Sequence, residues 1–228
     1  MRQLKYILRG LALLSLLIFN SCTNLDEKPY TFIDPDSFYK NEEQLNAGLT
    51  NVYNQFRSMM SDYTYIMRIE ECTDFGQPCQ TKENGHYINC WYDINNASSS
   101  TFSKLWGAAY VTINSTNTVL ARGEKIDISD EAKSCIYAQA RFMRAYTYFV
   151  LVRLFGGVPI PETFTNSLEG LEIPRKSIDE VYDYILEDLY YCEAHLPIRG
   201  TNKYDVWRVS KGAVQALLSE VYLTLASM

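Results

Sequence analysis

The residue with the plainest chemistry is Cys22. It follows Ser21 directly, and before it come a positive stretch with Arg2, Lys5 and Arg9 and an apolar run from Leu11 to Phe19 with Ser15 its one polar residue. A charged start, a short apolar core and a small residue before the cut mark an export signal. The run is shorter than the roughly 20 apolar residues a membrane-spanning helix needs, and Asn20, Ser21, Thr23 and Asn24 close it with polar side chains. Phe19 and Asn20 depart from the small residue an ordinary secretory cut wants at minus three, which suits a loosely kept lipobox. Cysteine can carry a thioether-linked diacylglyceryl group, and two or three acyl chains hold a protein on a bilayer where a single one does not. Residues 1–21 are thus expected to be a cleaved lipoprotein signal, Cys22 the lipid-attachment residue, and 22–40 a lipid-anchored lead into a folded body over 41–228.

Reactive constellations elsewhere are sparse. His86 and His195 are the only histidines, and no G-x-S-x-G, H-E-x-x-H or phosphate-binding glycine loop occurs. Glu70-Glu71 with Asp74, or Glu187-Asp188, supply acids that glycosidase chemistry could use. Adjacent acids on a helix point in different directions, so a charged helix end or solvated face accounts for them more simply. Cys72, Cys79 and Cys90 with His86 offer metal-ligand types, but their spacing lacks the paired C-x-x-C units of a zinc site. An exported chain can close a disulfide among those three cysteines, with the pairing left open. Cys135 and Cys192 fall on apolar helical stripes and read as small buried hydrophobes. No catalytic residue, metal or cofactor is expected.

One segment has a binding inventory. Within the polar, aromatic stretch 60–104, Trp91 and Tyr92 stand beside Asp93, Asn95 and Asn96. Sugar recognition sets an aromatic face against the apolar side of a ring and gives its hydroxyls hydrogen-bonding partners, so Trp91, Tyr92 and Asn96 are candidate ligand-binding residues. A Trp that plugs its loop onto neighbouring helices would read the same way.

The elements that must hold these residues are helical. Asn41 can cap a helix with inner positions Leu45, Leu49, Val52 and Phe56. A second stripe runs Trp106, Tyr110, Ile113, Asn117 and Leu120, ending near Gly123. Ser129 with Asp130 and Glu131 starts a third helix, lined by Ala138, Phe142, Ala145, Phe149 and Val152 and stopped by Gly156-Gly157 and Pro159. Ser177 and Glu180 form a capping box for a fourth, with Ile178, Val181, Ile185, Leu189 and Cys192 inside. Ala213, Leu217, Val221 and Leu225 line a last helix. The only strand-like stretch is Val158 to Ile160. The expected fold is all-α: tetratricopeptide-like antiparallel helix pairs with one long irregular loop, and without a strict 34-residue repeat. Loss of the three positive charges in residues 1–21 takes the formal charge from −6 to −9, which argues against nucleic acid as a partner.

In order along the chain, SCTNLDEKP, EEQLNAGLTNVYNQF, LWGAAYVTINSTNTVL, ARFMRAYTYFVLVRLFGGVPIP, SIDEVYDYILEDLYYCEAHLP and RVSKGAVQALLSEVYL resemble the SusD/RagB family of outer-membrane nutrient-binding lipoproteins. RFMRAYTYFVLVRLFGGVP is the most specific segment; its Arg141 and Arg144 can face solvent or the acids of a neighbouring helix. The resemblance concerns the family's N-terminal helical part. It implies a surface-facing lipoprotein of the outer membrane, not an enzyme, that binds a glycan or peptide and delivers it to a SusC-like TonB-dependent transporter. The family's longer C-terminal half, which brings several ligand loops, has no counterpart, so a truncated member or fragment is expected, with Leu217, Val221 and Leu225 left as an exposed apolar face. A helical-repeat interaction scaffold without ligand binding is the alternative reading.

Overall fold

The computed structural model describes residues 38–61, 100–165, 172–201 and 205–228. Among these residues, five helices lie in the unit Tyr39–Met228: α1 (Glu42–Ser61), α2 (Ser100–Gly123), α3 (Asp130–Phe155), α4 (Ile178–His195) and α5 (Lys211–Ala226). No strand occurs among the described residues, and the fold is all-helical as expected. Helix α1 reaches Ser61 and α2 begins at Ser100, so both ends of the stretch 60–104 are helical.

Local chemistry fixes the helix starts. The Asn41 side chain accepts from the Gln44 N–H (2.9 Å), and that of Ser129 from the Ala132 N–H (3.2 Å). Before α4, the Ser177 hydroxyl accepts from the Glu180 N–H while the Glu180 carboxylate accepts from the Ser177 N–H, the reciprocal capping box. The backbone and hydroxyl of Ser177, with Lys176, hold the Glu180 carboxyl below its ordinary pKa.

Cross-helix contacts give the packing direction. Leu120 meets Tyr137 and Thr116 meets Ala140, so α2 and α3 run antiparallel. Cys192 meets Ala138, Asp188 meets Arg144 and Tyr184 meets Tyr148, which makes α3 and α4 antiparallel as well. Gln215 with Glu193 and Tyr222 with Tyr190 do the same for α4 and α5. Tyr53 meets Gln139 and Phe56 meets Tyr146, so α1 lies parallel to α3. Helix α3 touches each of the other four. It is buried nearly all round, from Ile136 to Val152, as a central helix must be.

Several inner faces differ from the sequence reading. Phe142 and Phe149 are buried on α3, and Leu45, Leu49 and Val52 on α1, as expected. On α2 the buried line is Leu105, Ala109, Ile113 and Val119 together with Thr112 and Thr116, while Trp106, Tyr110 and Leu120 are half-buried. Thr112 can be buried because its hydroxyl donates to the carbonyl of Ala108, and Thr116 because its hydroxyl donates across to that of Ala140. Ile178 at the mouth of α4 is exposed. The expected open face of α5 is also corrected: Leu217 and Val221 are covered, with Val214 and Leu218, by packing on α4 and α3, and Leu225 is half-buried. The large apolar side chains that α5 turns to solvent are Tyr222 and Leu223.

The stop after α3 depends on two glycines. Gly156 has φ +70°, a left-handed conformation that side chains disfavour, and its N–H caps the carbonyl of Val152. A Cβ on Gly157 would lie 2.1 Å from the carbonyl oxygen of Lys176. That close approach lets Lys176 N–H donate to Val158 O (3.0 Å), and Pro159 pairs with Arg175 in one isolated antiparallel bridge. The stretch Val158 to Ile160 is therefore a single bridge, not a strand.

Candidate functional site

The chain turned back by Gly156-Gly157 is stapled to α2 by one side of that helix. Tyr110 hydroxyl donates to Pro159 O (2.8 Å). Asn117 Nδ2 donates to Pro161 O (2.9 Å), and Asn114 exchanges two bonds with Thr165, accepting from its N–H (2.7 Å) and donating to its carbonyl (3.2 Å). These residues occur at helical spacing, so one face of α2 grips one extended segment.

Between the two lies a cleft of about 290 Å³ lined by Trp106, Tyr110, Asn114, Pro159, Pro161, Thr165 and Ile173. The Trp106 and Tyr110 rings form its aromatic wall, with centroids 5.0 Å apart and planes tilted by 37°. Phe155 meets Trp106 edge-on at 5.1 Å. The Arg175 guanidinium stands 5.7 Å above the Trp106 ring and is tied by Nη1 to the carbonyls of Phe155 (3.2 Å) and Gly157 (3.1 Å). Burial pushes the Tyr110 phenol above its ordinary pKa although Arg175 pulls the other way, so it is a neutral donor. An apolar floor, an aromatic wall and a few polar groups at the rim suit a ring-shaped, partly hydroxylated ligand.

Behind the cleft lies a buried ion pair. Arg144 Nε and Nη2 each donate to an Asp188 carboxylate oxygen at 2.8 Å, and Nη1 donates to Asn117 Oδ1 at 2.6 Å. Arg141 approaches the same carboxylate at 3.5 Å from a more exposed position. Both arginines therefore face an acid of the neighbouring helix, and Asp188 is a core residue, not part of a solvated face. Asn117 joins this pair to Pro161, so the core and the cleft wall share one side chain.

A second cleft, about 450 Å³, lies where Ser129, Glu131 and Cys135 of the α3 start face His195 and Pro197. Burial raises the Cys135 thiol above its ordinary pKa, against nucleophilic use. The His195 ring stacks on Tyr191 at 4.2 Å, and its Nδ1 bonds the Tyr191 carbonyl at 2.8 Å. Cys192 is buried with its thiol donating to Ala138 O (3.0 Å), a small core residue as read from its spacing. Among the described residues no cluster of three His, Cys, Asp or Glu could hold a metal ion. Within the same residues no helix is long and apolar enough to cross a membrane.

The residues singled out in the sequence, Cys22, Trp91, Tyr92 and Asn96, lie outside the described residues, as do His86, Cys72, Cys79 and Cys90. The sequence pattern places Trp106 and Tyr110 in the core and gives Asn114 no role, so the cleft is a finding of the structure. The signal for it is the recurrence of Trp106, Tyr110 and Asn114 at steps of four, facing the closely spaced Pro159 and Pro161.

Comparison with known proteins accords with this scaffold. Residues 24–223 match the SusD-like family described as starch-binding associating with outer membrane. A SusD-like protein of Formosa agariphila is 28% identical over 96% of this chain and 43% of its own length. The crystal structure of a SusD homologue from Bacteroides thetaiotaomicron superposes with a TM-score of 0.71 at 27% identity, covering 84% of this chain and 38% of that one. A SusD superfamily protein from Parabacteroides distasonis gives a TM-score of 0.68 at 28% identity over 81% of this chain and 40% of its own. The chain thus spans about two fifths of the length of these relatives. It belongs to the SusD-like family.

Proposed function

We propose that this SusD-like chain serves a nutrient-uptake system of the outer membrane: held by lipid on Cys22 and facing the surface, it binds glycan and delivers it to a SusC-like TonB-dependent transporter. The family match over residues 24–223, starch-binding and associated with the outer membrane, carries this reading. The export signal before Cys22 and the aromatic inventory of Trp91, Tyr92 and Asn96 support it from the sequence. The described fold adds support for binding over turnover, because Asp188 is occupied by Arg144 and the thiols of Cys135 and Cys192 are held protonated by burial.

Affinity electrophoresis of the detergent-solubilised full chain through gels cast with neutral and acidic polysaccharides tests the capture role, with retardation expected in at least one. Labelling with a palmitate analogue tests the anchor, and Cys22→Ala should abolish both label and membrane retention. The scaffold reading draws on the exposed Trp207, Tyr222 and Leu223. It would gain from a chain that no glycan retards but that still co-purifies with a membrane protein.

A further inference from the structure

The capture role leaves open what kind of sugar the α2 cleft would accept. Its aromatic wall is preformed: Trp106 and Tyr110 are one turn apart on α2, and the edge of Phe155 fixes the indole from one side. Pro159, Pro161 and Ile173 close the cleft without polar side chains. A volume of about 290 Å³ is at the small end of ligand pockets, room for one ring and its substituents.

The polar groups at the rim have capacity left. Asn114 uses its oxygen and one amide N–H on Thr165, which leaves a second N–H. Tyr110 spends its proton on Pro159 O and keeps acceptor sites on its oxygen. Arg175 is the decisive group. Its Nη1 donates to two carbonyls, so the head is oriented, and among the described residues Nε and Nη2 make no hydrogen bond. Among the described residues no carboxylate pairs with it, whereas its neighbour Lys176 is already taken by Glu180 at 3.3 Å. A guanidinium so oriented presents a planar fork that matches a carboxylate.

We propose that this cleft is a subsite for one ring of an acidic oligosaccharide, a uronate that packs against the wall formed by Trp106 and Tyr110 and whose carboxylate reaches Arg175 beside it. The proposal rests on the glycan-capture reading and adds to it a place and a charge. The packed ring contributes contact area, and the ion pair with Arg175 selects acidic sugars over neutral ones.

The test uses the three tryptophans of the chain as reporters. Full chain labelled with ¹⁵N-tryptophan gives separate indole resonances, assigned with Trp91→Phe and Trp207→Phe, and is titrated with oligogalacturonate, oligomannuronate, maltoheptaose or laminarihexaose. The acidic oligosaccharides are expected to shift the Trp106 resonance, and Arg175→Gln to weaken them about fivefold, as loss of a partly exposed ion pair implies. Arg175→Lys keeps the charge and should restore part of the loss. If both variants melt early, salt decides on the wild type: acidic binding must weaken between about 20 and 500 mM NaCl. A salt-independent affinity, or equal shifts of Trp106 by neutral and acidic sugars, overturns the proposal. Shifts confined to Trp91 or Trp207 overturn it while leaving glycan capture intact, and no binding by any of the four removes both.

Discussion

Arg144 and Asp188 form a two-bond ion pair, each bond 2.8 Å, across the interface of α3 and α4. Both side chains are almost fully buried, 6% and 2% exposed. Burial disfavours the charge on Arg144, but the Asp188 carboxylate and its hydrogen bonds outweigh this and raise the guanidinium pKa. Arg144 also stands 4.9 Å from the Tyr184 ring and bonds Asn117 on α2, so one cation registers three helices. Such a pair adds little net stability over a well-packed apolar substitute, yet it heavily penalises any packing that separates its partners.

Removing one partner is therefore expected to be far worse than removing both. Asp188→Ala leaves Arg144 charged and buried, at a cost of about 3 to 5 kcal/mol. Arg144→Met combined with Asp188→Leu should cost clearly less than either single change. Urea unfolding of the two single variants and the double gives the coupling directly. Additive losses would show that the pair does not act as a unit.

Gly157→Ala is expected to destabilise more than its one methyl suggests. The new Cβ would meet the Lys176 carbonyl at 2.1 Å, and that atom is backbone held by the Val158–Lys176 bridge. Relief requires the segments 158–160 and 174–176 to part, and a cost of about 1 to 3 kcal/mol follows from overpacking. A thermal midpoint equal to that of the parent would mean the bridge is not closed in solution.

What the sequence discloses and what it hides divide along the distance between the residues involved. Asn41, Ser129 and Ser177 were legible as caps because the partner of each is three residues away. Leu45, Leu49 and Val52 were legible because a simple stripe suffices for a helix covered on one side. Helix α2 is covered on two: α1 and α3 pack on it, α3 reaching Thr116 and Leu120, and the returning segment takes the side of Tyr110 and Asn117. A search for one apolar stripe averages these faces and misplaces both. Thr112, Thr116 and Asp188 were hidden for a related reason, since polar residues become buriable only when a partner arrives from a carbonyl or another helix. Only the near wall of the cleft, Trp106, Tyr110 and Asn114 at steps of four, has a signal in the sequence, because its far wall comes from residues about 50 positions along the chain.

Alkaline pH should unfold the protein through its tyrosines. Burial pushes Tyr53, Tyr137 and Tyr184 up to about 12 from an ordinary 10, so the folded state keeps protons that the unfolded chain gives up earlier. Stability is then fully present below about pH 10 and falls as pH rises towards 12, where the unfolded state binds fewer protons than the native one. Denaturant midpoints at pH 7, 8 and 11 should be level between the first two and lower at the third. Tyrosinate absorbance rising at pH 10 with the helical signal intact would contradict this for the buried rings.

Asn117 offers a way to loosen the cleft wall without breaking the core. Its oxygen accepts from Arg144 at 2.6 Å, and its nitrogen donates to Pro161 O at 2.9 Å. Asn117→Asp keeps an acceptor for Arg144, and does so with a charge, but has no proton for the carbonyls of Pro161 and Thr163. Asn117→Leu loses both contacts and leaves one guanidinium donor unpaired in a buried site. The Leu variant should lose about 1 to 3 kcal/mol of global stability, the usual cost of stranding a buried polar group. The Asp variant brings a second carboxylate near Asp188, but the shared guanidinium lies between them, so its global loss should be smaller than that of Leu. Hydrogen exchange separates the two effects: in Asn117→Asp the amide of Thr165, which donates to Asn114, should exchange faster while amides in the middle of α3 keep their protection. Equal acceleration throughout α3 would mean that Asn117 acts on the core alone, and the cleft wall would then depend on Tyr110 and Asn114 without it.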